Sequence, residues 1–180
     1  MIASPDLRLE FAGAGVRAEG VVRIPEARLA PQDLTGVVLP SPDERVTGQP
    51  LSEHGGLPLE ARLQMVMGDK VRLETLGLIG QLRGSVTTNT PVTGPTTAQG
   101  ELTLGNGKFK AYTRELVIER GRLLFTGGAA SDPGLDLRAS RQFPGVKAGV
   151  LVRGTLRRPL VRFFSEPARP QSEVASLLLV

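Results

Sequence analysis

The side chains of this sequence that are best suited to chemistry are few and are not arranged for it. His54 is the only histidine and follows Ser52 and Glu53 directly. A hydrolase triad is an arrangement in space that adjacent positions do not supply, so an ordinary loop histidine is the simpler explanation. There is no cysteine, which excludes thiolate nucleophiles, disulfides and Cys-ligated zinc and leaves both cytosol and periplasm open. Oxygen-ligated calcium needs clustered carboxylates. Asp132 and Asp136 flank Pro133-Gly134 and could contribute two, but turn-forming aspartates explain that spacing better. Glycoside hydrolysis pairs carboxylates beside aromatic platforms, and an aromatic share of 4% with no Trp and one Tyr argues against such a cleft. Gly105-Asn106-Gly107 lacks both the spacing and the Lys-Ser/Thr ending of a phosphate loop and reads as a turn. No catalytic residue, metal or cofactor is assigned, and the expectation is a protein that is not an enzyme.

Composition points the same way. Twenty-two Gly and 14 Pro are spread along 180 residues, and both are costly inside helices, so many short strands with frequent turns are expected. A β architecture of this length commonly folds as one unit, here taken as 1–180. The formal charge of +4 is modest. Arg8, Arg17, Arg23, Arg62, Arg72 and Arg83 are scattered singly, a solvated face without the stacking aromatics of a nucleic-acid surface, so no nucleic-acid partner is expected. The first residues have no signal-peptide pattern, and no apolar run approaches the ~18 residues of a membrane helix.

The elements that must position any site announce themselves by alternation of period two, which sends every second side chain to one face of a strand. Val16, Ala18, Val22 and Ile24 oppose Arg17, Glu19 and Arg23. Leu57, Leu59, Ala61, Leu63, Met65 and Met67 oppose Glu60, Arg62 and Gln64, and Leu78, Leu82 and Val86 oppose Gln81, Arg83 and Ser85. Leu102 and Leu104, Leu116 and Ile118, Leu123 and Phe125, and Leu135 and Leu137 follow, then the run Val146, Ala148, Val150 and Val152. Turns are expected at Leu39–Asp43, at Gly68-Asp69-Lys70 as a tight hairpin, and at Gly105–Gly107, with loops over Asn89–Gln99 and Gly127–Gly134. The one helix expected is the terminal stretch 171–180, capped by Gln171 or Ser172 behind Pro170. An all-β chain that is apolar on one side closes as a sandwich, a barrel or a long curled sheet, and parity alone does not choose. Each buried acyl methylene is worth about 0.8 kcal/mol, so an unfilled apolar face binds lipid without any motif. The same residues could also form a filled core.

The string from Gly100 to Gly127 resembles the signature block of the TamB family. Phe109, Ala111 and Tyr112, then Leu116 and Ile118, then Gly121, Leu123 and Phe125 fall where that family's pattern places them, followed by Pro133, Leu135 and Ala139. Val146 to Val150, Gly154, Pro159, Phe164-Ser165, Pro167 and Glu173 to Leu178 continue the likeness, and upstream so do Arg23 to Ala27, Ser41 to Asp43, Gly68 to Val71, Gly77-Leu78 and Gly84. Thr113 departs from it, standing where the family often has glycine.

The resemblance implies a curled sheet of the β-taco type within an AsmA-like, bridge-type lipid transfer protein. That protein would be periplasmic and anchored in the inner membrane of a Gram-negative bacterium. Its groove would carry phospholipid acyl chains toward the outer membrane, lined by the alternating residues named above together with Phe109. The resemblance also implies a partner, the outer-membrane barrel protein TamA, and the alternative role of a scaffold that engages TamA and nascent outer-membrane strands. A piece of such a sheet is expected to expose open strand edges and to capture detergent or self-associate.

Overall fold

The computed structural model describes residues 2–12, 15–29, 58–75, 77–111 and 114–179. The turn expected at Leu39–Asp43, the Ser52-Glu53-His54 triplet, Leu57, Tyr112 and Thr113 lie outside them. The described chain is mostly β: nine strands and one short helix. The strands are β1 Ile2–Ala12, β2 Gly15–Leu29, β3 Leu59–Thr75, β4 Leu78–Thr90, β5 Thr97–Ala111, β6 Arg114–Ala129, β7 Gly134–Phe143, β8 Val146–Thr155 and β9 Pro159–Glu166, and the helix is α1 Gln171–Leu179. All nine strands form a single sheet in sequence order. β2 and β3 run parallel and every other neighbouring pair is antiparallel, so the sheet is mixed.

Cross-strand partners share a face, so the registers carry the apolar parity from strand to strand. Phe11 faces Val16, which faces Leu59. Ile24, Met67, Gly84, Leu102, Leu123 and Leu135 form one row across six strands, and Leu137, Val152 and Val161 form another. The reverse face is charged, with Arg17–Glu60 at 3.0 Å, Arg122–Asp136 at 2.8 Å and Arg138–Glu119 at 2.6 Å bridging neighbouring strands. Ion pairs this close to water add little, so the apolar side holds the sheet together.

The expected curled β-taco is corrected to an open sheet that is not strongly curled, with β1 and β9 at opposite margins. Where a taco would bring its second wall over the apolar face, α1 lies there instead, against β8 and β9. Two expected turns are also corrected. Gly68-Asp69-Lys70 lies inside β3 and Gly105-Asn106-Gly107 inside β5. Both are bulges: the β3–β4 register shifts between Met67 and Arg72, and Asn106 takes the left-handed backbone at φ 49° that asparagine tolerates. The bulges align across the sheet. Pro25-Glu26 in β2, Gly105-Asn106 in β5 and Glu119-Arg120 in β6 are each two consecutive exposed residues, and each exchanges the parity of the apolar positions. Buried Leu104 is thus followed by buried Gly107, and half-buried Ile118 by buried Gly121.

The expected loops are real but shorter. β4 continues through Thr90 and β5 begins at Thr97, because β-branched threonines fit the pleated surface, and the next connection is reduced to 130–133. Helix α1 starts where expected, although its first turn is satisfied by the Pro170 carbonyl, which accepts the Glu173 and Val174 amides at 3.1 Å, with no hydroxyl cap from Ser172. Nine residues are too few for an independent helix. Packing sustains it: Val174 and Leu178, each 1% exposed, sit in one cluster with Leu116, Ala139, Ala148 and Val150. The second cluster joins Ala27 and Val71 to Leu82, Val86, Ala98, Leu102 and Leu104 on β2 to β5.

Candidate functional site

Between the two clusters the apolar face is left unfilled. A trough of about 280 Å³ opens over β3 to β8, near the lower end of the roughly 300–1,000 Å³ typical of ligand pockets. No polar atom is exposed in its wall, although Arg122 borders it. Among the residues expected to line a groove, Leu78, Leu82, Leu104, Phe109, Ile118, Leu123, Leu135, Leu137, Val150 and Val152 border this trough. Val86 and Leu102 are packed in the β2–β5 cluster and Leu116 and Ala148 under α1, while Val146 is buried apart from both clusters. Val16, Ala18, Val22, Ile24, Leu59, Ala61, Leu63, Met65 and Phe125 share the face but lie away from the trough.

Sequence reasoning missed Leu73, Pro133, Ala139 and Leu156 as lining residues. Leu73 lies beyond the β3 bulge and Leu156 in a turn, so neither belongs to an alternating run. It also missed the glycines beneath the trough. A Cβ at Gly121 would meet Leu104 Cβ at 2.8 Å, and one at Gly107 would meet Ile118 Cδ1 at 2.8 Å, so glycine lets these two side chains lie flat on the sheet.

The charged face behind the trough is a clamp. Glu119 accepts from Ser140 Oγ at 2.5 Å, Arg138 Nε at 2.6 Å and Lys147 Nζ at 2.5 Å, and Arg138 continues to Glu166 at 2.7 Å with its guanidinium 3.8 Å from the Phe164 ring centroid. Burial pushes the Glu119 carboxyl up, but the hydrogen bonds from Lys147, Ser140 and Arg138 outweigh it and bring the group down to about 2. The network ties β6, β7, β8 and β9 together.

Asp132 and Asp136 do not form a calcium pair. Asp132 accepts the Arg157 amide at 2.8 Å, and this backbone bond is the main reason that its carboxyl is held below the usual range. Asp136 accepts from Arg122 at 2.8 Å and pairs with Arg120 at 3.2 Å, and the Arg122 hydrogen bond is likewise the main cause of its lowered value. Among the described residues no group of three or more His, Cys, Asp or Glu could hold a metal, and no helix is long and apolar enough to cross a membrane.

One sheet with a charged side and an apolar side that its own side chains leave partly unfilled makes an open β platform. The chain belongs to the TamB family: the model of the TamB C-terminal domain matches residues 1–180. It is 27% identical over 195 residues to the translocation and assembly module subunit TamB of Haemophilus influenzae, an alignment covering 98% of this chain. The chain spans 15% of that relative's length.

Proposed function

We propose that this chain is one segment of an outer-membrane biogenesis protein of the Gram-negative envelope, folding as a single β unit whose apolar face carries phospholipid acyl chains between inner and outer membranes. The observation that carries this reading is the trough, whose wall exposes no polar atom. A uniform wall offers an acyl chain burial without a directional contact at which to stall. In the full-length protein, anchored in the inner membrane and lying in the periplasm, neighbouring segments would extend the face and supply the curl of a β-taco. Family membership supports the setting and a TamA-type barrel as partner.

The test is site-specific photocrosslinking from Leu123 and Leu137 in envelopes, with adduct masses read by mass spectrometry. Phospholipid adducts are expected, and adducts made only of peptide would overturn the conduit. Val152→Arg should abolish co-purifying phospholipid in native mass spectra while keeping the β-sheet circular dichroism, because an open trough lets the charged head reach water. Loss of the fold in that variant would mean a filled core.

A scaffold for TamA and nascent outer-membrane strands is a second reading, favoured by β1. Among the described residues its outer edge has no strand partner, and Leu7, Leu9 and Phe11 on its apolar side are exposed, which suits pairing with an added strand. Peptide adducts from Phe11 would support it.

A further inference from the structure

We propose that the arginine turn joining β8 to β9 binds the anionic head of an amphiphile whose tail lies in the trough. The inference rests on the reading that the trough accepts an apolar chain and adds the chemistry and position of the head. Because the wall exposes no polar atom, a head must stay at a mouth. On one side α1 closes the face, with Val174 and Leu178 packed over Leu116 and Ala148. Toward Leu73 and Leu78, the guanidiniums of Arg28 and Arg72 are both already engaged by the nearby Glu74. The remaining mouth is the rim formed by Pro133 and Leu156, which the Leu156 amide ties together by donating to the Pro133 carbonyl at 3.0 Å.

Arg157 and Arg158 follow Leu156 directly on that rim. Between Asp136 and Glu166 the sequence has seven basic side chains (Arg138, Arg141, Lys147, Arg153, Arg157, Arg158 and Arg162) and no acid. Arg138 and Lys147 are held by Glu119 near the α1 end. The acid at the rim, Asp132, accepts the Arg157 backbone amide and so shapes the turn, while the Arg157 guanidinium donates to the neutral Ser131 hydroxyl at 3.1 Å. Among the described residues Arg157, Arg158 and Arg162 make no salt bridge to a carboxylate. Guanidinium forks suit phosphate oxygens, and an excess of cations beside an apolar slot fits a tail carrying a phosphate head.

The test uses calorimetric titration of the 180-residue chain with dodecyl phosphate, dodecyl maltoside and inorganic phosphate, the amphiphiles below their micellar concentrations. Dodecyl phosphate is expected to bind about tenfold more tightly than dodecyl maltoside at low ionic strength, an advantage that salt erodes. The double variant Arg157→Gln/Arg158→Gln should lose that advantage with dodecyl maltoside unchanged, whereas Arg157→Lys/Arg158→Lys should keep most of it and serves as the comparison if the Gln pair fails to fold. Equal affinity for the two amphiphiles, or an advantage untouched by the Gln pair, overturns the arginine site alone. Inorganic phosphate binding as tightly as dodecyl phosphate also overturns it, since the anion would then need no tail. If neither amphiphile binds, the trough reading falls and takes this one with it.

Discussion

The two margins of the sheet have the same alternating pattern and opposite fates. At the β6–β9 end, Leu116 and Ala148 are wholly buried because α1 lies on them, and behind them Glu119 gathers Ser140, Arg138 and Lys147. At the β1 end, Leu9 and Phe11 belong to the same apolar face with nothing packed above them among the described residues, and Phe11 is 75% exposed. Alternation therefore says which side of a strand is apolar. What covers that side is decided by elements elsewhere in the chain, here a nine-residue helix.

The sharpest way to break the comparison is to truncate one side chain at each margin. Leu116→Ala should cost about 2–5 kcal/mol in urea unfolding, as for other fully buried leucines, whereas Phe11→Ala should stay within about 0.5 kcal/mol. Equal losses would mean that the β1 end is covered in solution. Removing the clamp comes next: Glu119→Gln should cost about 1 kcal/mol at neutral pH by leaving Arg138 and Lys147 facing a neutral amide. The Glu119 carboxyl titrates at about 2 in the fold against an ordinary 4.5. Its contribution is therefore complete above about 4.5 and disappears as pH falls toward 2, so the two proteins should converge in stability over that interval. A gap that persists at low pH would assign the effect to packing.

Smaller in energy but visible in size, Phe11→Ser should lower the self-association or detergent uptake of the chain, measured by sedimentation velocity, without moving its urea midpoint. The smallest effect belongs to Arg17→Ala, which removes an exposed pair with Glu60 and should leave the urea midpoint unchanged.

The β class, the charged and apolar sides and the terminal helix were legible because each depends on local periodicity or a local start signal such as Pro170. The row of bulges was not. Gly68–Lys70 and Gly105–Gly107 have the composition of turns, and only the strands beside them show that the chain continues straight through. The trough was half legible. Leu82, Leu104 and Val152 stood out by parity, while Leu73, Leu156 and the glycines under Leu104 and Ile118 are brought in by the register and by a turn, neither of which a strand-by-strand reading contains. Curvature lay furthest out of reach, since it is a property of the whole sheet.

The aligned bulges give each strand something like a reading frame. Above and below them the same side of the sheet stays greasy only because the slip in β5 is matched by a slip in β6. Were β5 to run through Gly105 and Asn106 without its bulge, the far half would fall out of frame, bringing Lys108 and Lys110 round to the oily side and turning Phe109 toward the charges.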